Sequence, residues 1–185
     1  MLQGRIFTFM NMNKITTRFC ISIFSCIAAV NLTSHARAAD SVSDMDKSFV
    51  MKAAQGGMTE VQLGQLATDK GTSQNVKDFG AEMVTDHGNA NTQLKSIASS
   101  KEIIISQKID SKHQAMVDNL SGLPAAAFDK AYIEAMVVAH TKDNALFHKE
   151  ASSGQDADIK AFAAKTDEVV KMHLSMIQDI QSKLK

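Results

Sequence analysis

From residue 44 to residue 184, apolar side chains return every three or four positions along four long stretches, and almost no run alternates apolar with polar. A step averaging 3.6 residues keeps one helix face turned toward partners, whereas a half-buried strand needs a period of two. The pattern predicts an all-α fold. Composition agrees: Ala, Lys, Gln, Glu, Met and Leu dominate, all good helix formers, and the one proline, Pro124, sits between stretches. Only Glu102-Ile103-Ile104-Ile105 looks strand-like. It is too isolated for a sheet and is expected to pack over a bundle end.

Start and stop signals divide the chain. A first helix is expected over about 43–70, ending in a glycine stop at Lys70-Gly71. A second follows over about 73–99, with Ser73 as N-cap. A short helix near 110–120 stops at Ser121-Gly122. The third long helix starts at Pro124, a residue suited to a first helical turn, and runs to about 152. Ser153-Gly154 turns the chain into a last helix over about 156–184. Tight turns make hairpins of the first and last pairs. Some two dozen residues join the second long helix to the third, enough to travel the bundle's length. That predicts a ferritin-like four-helix bundle with a long crossover containing a short extra helix, its second and third long helices parallel. A plain up-down bundle with an ornamented loop is the rival.

The N-terminal segment carries Arg5, Lys14, Arg18 and Arg37 and no acid before Asp40. Phe19 to Val30 is an apolar run too short for a bilayer, which needs about 20 apolar residues. Followed by Ala36-Arg37-Ala38, it has the pattern of a secretory signal peptide, and cleavage after Ala38 is expected. Residues 1–38 are then the signal peptide, 39–185 the bundle domain, and the periplasm its location, with no membrane segment left after cleavage. An uncleaved anchor helix is the alternative. Cleavage removes Cys20 and Cys26, the chain's two cysteines, so disulfides drop out as staples. It also takes Lys+Arg from 20 to 16 against 20 Asp+Glu, a mildly acidic balance. Nucleic-acid binding wants a concentrated basic face, which is lacking.

Four polar residues interrupt the apolar stripes. The first helix reads Phe49, Ala53, Gly56, Glu60, Leu63, Ala67, with Glu60 in mid-face. The second reads Val76, Phe79 or Gly80, Met83, His87, Ala90, Leu94, Ile97, with His87 as its polar member. The last reads Ile159, Phe162, Thr166, Val169, His173, Met176, Ile180, Leu184, with His173 inside. The third offers Phe128, Tyr132, Met136, His140, Asp143 and Phe147, or a competing stripe through Ala135, Ala139 and Leu146. With a parallel crossover, Glu60, His87, His140 and His173 fall in a slab roughly 8 Å thick at 1.5 Å rise per residue.

Buried polar groups are costly unless paired, so four at one level need a reason. One is a single Zn, Fe or Cu ion held by Glu60, His87, His140 and His173, with Asp86, Tyr132 and Asp143 as candidate supporting residues. The other is a metal-free network in which Glu60 accepts hydrogen bonds from His87 and Tyr132. Met83, Met136, Met172 and Met176 are expected to fill gaps in the core. Met83, Met136 and Met176 each lie one turn from a histidine, which keeps copper in play. His113 and His148 are expected on the solvated surface.

The stretch Val76-Lys77-Asp78-Phe79-Gly80-Ala81-Glu82-Met83-Val84-Thr85-Asp86-His87 resembles the second helix of the bacterial domain-of-unknown-function 4142 family. Phe49 to Glu60 and Ala127 to Tyr132 resemble its first and third long helices, and the resemblance covers about 44–184. It implies an exported ferritin-like bundle with no established activity. The family usually carries an acidic residue just before the third-helix histidine; here that place is Ala139, which weakens the implied part of His140. Di-iron bundles place Glu-x-x-His on one helix face. Glu82 to His87 and Glu168 to His173 are five-residue steps, about 140° apart, so a single ion fits better than two. Two functional readings stand: an envelope or stress-associated scaffold without chemistry, or a transition-metal-binding or redox bundle. No nucleophile set, phosphate loop or dinucleotide fingerprint is present.

Overall fold

The computed structural model describes residues 42–183; the expected signal peptide, 1–38, lies outside them. Among the described residues the chain forms α1 (Asp44–Lys70), α2 (Gln74–Ser100), α3 (Ser111–Ser121), α4 (Ala125–Ser153) and α5 (Ala157–Ser182), and no strand. None of these helices is long and apolar enough to cross a membrane.

The long helices form a four-cornered bundle, α1 against α2 and α4, and α5 against α2 and α4. Hydrogen bonds at the two ends fix their directions. Asp129, near the start of α4, accepts from the Thr72 and Ser73 amides at the α1–α2 turn, at 3.0 and 2.8 Å. Asp46, near the start of α1, accepts from the Gln155 and Asp156 amides at the α4–α5 turn. Thus α2 and α4 run parallel, as the long connector requires, and neighbouring helices are antiparallel. The connector closes over the bundle: Gln55 on α1 bonds Lys108 and Asp110, and Lys70 bonds the Ser121 and Leu123 carbonyls around α3.

Several helix ends are made differently from expectation. Ser73 precedes α2, but its hydroxyl bonds no helix amide. The Asp129 carboxylate, arriving from another helix, takes the amides of that turn instead. Gly71 has φ −52°, so left-handed freedom is not what the turn uses. A Cβ there would stand 2.6 Å from the Ala67 carbonyl oxygen, so closeness demands glycine. Pro124 is the N-cap of α4 rather than a residue of its first turn.

Two apolar clusters fill the interior. One, near the α1–α2 turn, includes Leu63, Val76, Phe79, Met83, Phe128 and Met136. The other, near the α4–α5 turn, includes Phe49, Val50, Leu94, Phe147, Ile159 and Phe162. On α4 the stripe from Phe128 through Tyr132, Met136 and His140 to Phe147 faces inward. On α5, Val170 and Ile177 are buried where Val169 and Met176 were expected, because Thr166, Val170, His173, Ile177 keeps the four-three-four rhythm. Met83 and Met136 are fully buried gap-fillers, whereas Met172 is 43% exposed and fills nothing. Ile103 and Ile105 pack on the second cluster, so the strand-like run covers that end as expected. Between α1 and α2 the backbones nearly touch: a Cβ on Gly64 or Gly80 would lie 2.6 Å from the other's carbonyl oxygen.

A carboxyl pair is sealed into the end that holds the α4–α5 turn. Asp46 is 0% and Glu150 2% exposed. Burial opposes the charge on Asp46, but hydrogen bonds from Glu150, Ser43 and two backbone amides outweigh it and hold its pKa below the usual value. Burial and the adjacent Asp46 push the Glu150 carboxyl up to about 7, so it keeps a proton to donate. As pH rises the unfolded chain gives up this carboxyl's proton first, so stability falls from the ordinary Glu value, 4.5, through about 7. Glu150→Gln keeps the donor and removes the ionisation. Its melting temperature should exceed the wild type's by a margin that widens from about pH 5 to about pH 8. Parallel melting profiles across that range would show that the pair is not protonated as described.

Candidate metal centre

Between the two apolar clusters lies a polar layer to which each long helix sends one side chain. Glu60 comes from α1, His87 from α2, His140 from α4 and His173 from α5, each 5% exposed or less. Ring centroids are 5.3 Å apart for His87–His173, 5.6 Å for His140–His173 and 5.8 Å for His87–His140. One nitrogen of each ring lies within 4.8 Å of the other two. Nitrogens bound tetrahedrally at about 2.0–2.1 Å from an ion stand about 3.4 Å apart, so loading asks the rings to draw in by at most about 1.4 Å.

Each ring is held from behind. His87 Nδ1 donates to Glu60 Oε2 at 2.9 Å, His140 Nδ1 to the Met136 carbonyl at 2.9 Å, and His173 Nε2 to Asp86 Oδ2 at 3.0 Å. All three partners are acceptors, which places the proton on the engaged nitrogen. The other nitrogens, His87 Nε2, His140 Nε2 and His173 Nδ1, are buried and have no hydrogen-bond partner among the described residues. A bonded back nitrogen and a free front nitrogen are the state in which imidazole binds a metal.

Glu60 stands on different terms. Oε2 orients His87, while Oε1 lies 3.7 Å from His140 Nε2, close enough to reach an ion placed among the rings. Asp143 shares a hydrogen bond with Glu60: burial and the Glu60 charge raise the Asp143 pKa strongly, so Asp143 carries the proton. Tyr132 does not take the part expected of it, since its buried hydroxyl has no partner among the described residues. Burial and the Glu60 charge raise its pKa, so it stays a neutral phenol.

The charges are graded across the layer. Burial opposes ionisation of Glu60, but the His87 and His140 imidazoles and the Asp143 hydrogen bond outweigh it and lower its pKa. Burial pulls His87 down, yet the charge and hydrogen bond of Glu60 outweigh that and raise it. His140 is lowered by burial, with Glu60 opposing and His87 reinforcing. His173 is lowered further by burial and by repulsion from His87 and His140. Two imidazoles are therefore neutral at physiological pH, and the third is tied to a carboxylate.

The sequence located all four interior residues, but not their pairing. Asp86 serves His173 on α5 rather than its neighbour His87, because consecutive helical residues point about 100° apart. The role of the Met136 carbonyl leaves no trace in the sequence at all. His148 is exposed as expected, but His113 is half-buried, bonded to Asp110 at 2.8 Å. It lines a cleft of about 150 Å³ between α1, α3 and α4 that has Glu60 and Asp143 in its wall. A second cleft, about 200 Å³ between α2 and α5, reaches His87 from the opposite side.

A crystal structure of a DUF305 fragment from Deinococcus radiodurans shares the fold, with TM-score 0.68 over 77% of this chain and 99% of that one. At 12% identity the likeness is one of fold alone. No curated protein matches the sequence. The pattern of the family described as a domain of unknown function (DUF4142) matches residues 31–180, more than half of the chain, and the protein belongs to that family.

Proposed function

We propose that this protein is a transition-metal-binding bundle that holds one divalent zinc, iron or copper ion through His87, His140 and His173, with Glu60 orienting His87 and completing the site. One observation carries this reading: one nitrogen of each of three buried rings lies within 4.8 Å of the other two, and each ring has one nitrogen bonded and the other without a partner among the described residues. A metal-free network would pair those nitrogens, and a scaffold without chemistry gives them no role. Three nitrogens and one oxygen suit a four-coordinate ion. The parallel crossover between α2 and α4 supports a ferritin-like arrangement. Export to the periplasm, read from the N-terminal segment, would put the site in a compartment where a thiol-free imidazole set is not open to oxidation.

Untagged protein stripped of metal and given zinc, copper or iron should take up about one equivalent. The ion should raise the melting temperature by mass action, the equivalent of about 2.7 kcal/mol at a free-ion concentration 100-fold above Kd. Affinity should fall as pH drops into the range where the imidazoles take up protons, first at His87, whose pKa the Glu60 charge raises, because coordination must displace that proton. A wild type that stays metal-free, with melting indifferent to all three ions, removes the reading.

A further inference from the structure

The three imidazoles are sealed inside the bundle, so an ion needs a way in, and two clefts offer one. The cleft between α1, α3 and α4 is rimmed by Lys112, His113 and Lys142 and covered by α3. Glu60 and Asp143 line it too, but with Asp143 protonated the two lysines leave an excess of positive charge that repels a dication. The cleft between α2 and α5 carries no such excess. Asp86 is its only carboxylate and Lys165 its only cationic residue, and Asn89, Gln93 and Thr166 add neutral oxygens. Its inner wall is His87, only 4% exposed and with Nε2 unpartnered among the described residues.

We propose that the α2–α5 cleft is the ion's entrance, and that Asp86 at its mouth is an outer capture site for a hydrated divalent cation. This rests on the metal reading above and adds to it a path and a first stop. Asp86 touches both worlds. It is 30% exposed, and its Oδ2 holds Nε2 of His173, which is 0% exposed. Its Oδ1 makes no hydrogen bond among the described residues and can take the place of a water on an arriving ion. His87 and Thr166 line both this cleft and a small void of about 10 Å³ that also touches Glu60, so the inner end of the cleft and the polar layer share a wall. The ion exchanges waters for one carboxylate oxygen outside, then for imidazole nitrogens inside.

A path, unlike a ligand, alters rates and leaves the equilibrium untouched. Ala90 lines the α2–α5 cleft and Ala139 the opposite one, so Ala90→Phe and Ala139→Phe obstruct one route each. Stopped-flow mixing with cobalt(II), followed by its visible absorption, should show Ala90→Phe slowing association and dissociation alike. The expected factor is about tenfold, with Kd unchanged, as gating by an obstructed passage requires. Ala139→Phe should match the wild type. Asp86→Asn, nearly the same shape, keeps an acceptor for His173 and should lower the association rate and flatten its dependence on ionic strength, since steering by the carboxylate is gone. Asp86→Asn also serves if either phenylalanine variant fails to fold. Slowing by Ala139→Phe with no effect of Ala90→Phe overturns the route while leaving the metal site standing. Unchanged association kinetics in Asp86→Asn overturns the capture site. A wild type that binds neither cobalt nor zinc, copper or iron removes the metal reading and this route with it.

Discussion

Gly80→Ala is expected to destabilise the bundle by about 3 kcal/mol, while the same change at Gly88 on the same helix stabilises it by about 0.5–1 kcal/mol. The chemistry of the two substitutions is identical, so the surroundings decide the sign. A Cβ at Gly80 would stand 2.6 Å from the Gly64 carbonyl oxygen, 2.8 Å from the Ala67 Cβ and 3.2 Å from the Thr68 amide nitrogen. Two of those three atoms are backbone, so relief requires α1 and α2 to part. At Gly88 nothing lies within 4 Å of the added carbon, and alanine only restricts the unfolded chain. Parting the helices would also pull Glu60, on α1, from His87, on α2, whose bond is 2.9 Å. Gly80→Ala should therefore weaken metal uptake as well as stability. Equal effects of the two substitutions in denaturant unfolding would show that the close crossing is not real.

That crossing was invisible in the sequence, and the reason is general. Periodicity reports which residues face inward, not how near two inward faces come. Gly64 and Gly80 lie 16 positions apart on different helices, and only their mutual position reveals a contact. Directions fared better. The connector between α2 and α4 is far longer than a hairpin needs, and that length alone predicted the parallel pair that Asp129 and Asp46 tie at either end. Helix limits came from Gly71, Pro124 and Gly154, residues whose backbone requirements act locally.

The candidate site divides along the same line. Glu60, His87 and His173 stood out because a polar residue breaking a four-three stripe must be buried if the stripe is. His140 was harder, since α4 carries two competing stripes and only packing against α1 and α5 chose between them. The supporting contacts are long-range. Asp86 to His173 spans two helices and Asp143 to Glu60 another two, so no local rule pairs them. The carboxyl pair of Asp46 and Glu150, more than a hundred positions apart in the chain, was missed for the same reason. An acidic residue in a first helical turn and a glutamate near a helix end are both ordinary where they stand, so neither draws notice in the sequence.

His87→Ala is expected to abolish metal binding and, in stripped protein, to destabilise the fold by about 3 kcal/mol, because it strands a buried carboxylate. The wild-type Glu60 keeps its charge only because the imidazoles and Asp143 outweigh burial. Without His87, burial prevails, the folded pKa of Glu60 rises, and the variant should lose stability as pH rises from about 4.5 toward neutral. In the wild type the lowered Glu60 pKa acts the other way, contributing stability above about 4.5 that is lost as pH falls further. The Glu150 contribution is common to both proteins, so the difference between their pH profiles of melting is the signature of this one ion pair. Adding Glu60→Gln to His87→Ala removes the stranded charge, so the double variant should be more stable than His87→Ala alone while still binding no ion. His148→Ala, at a side chain 69% exposed, should change neither property. The four proteins separate the two roles of the layer. Metal titration reads the imidazoles, and the pH dependence of melting in stripped protein reads the carboxylate. If His87→Ala bound an ion as tightly as the wild type, the three rings would not be its ligands. If its stripped form melted like the wild type at neutral pH, Glu60 would not be the buried anion that holds them in place.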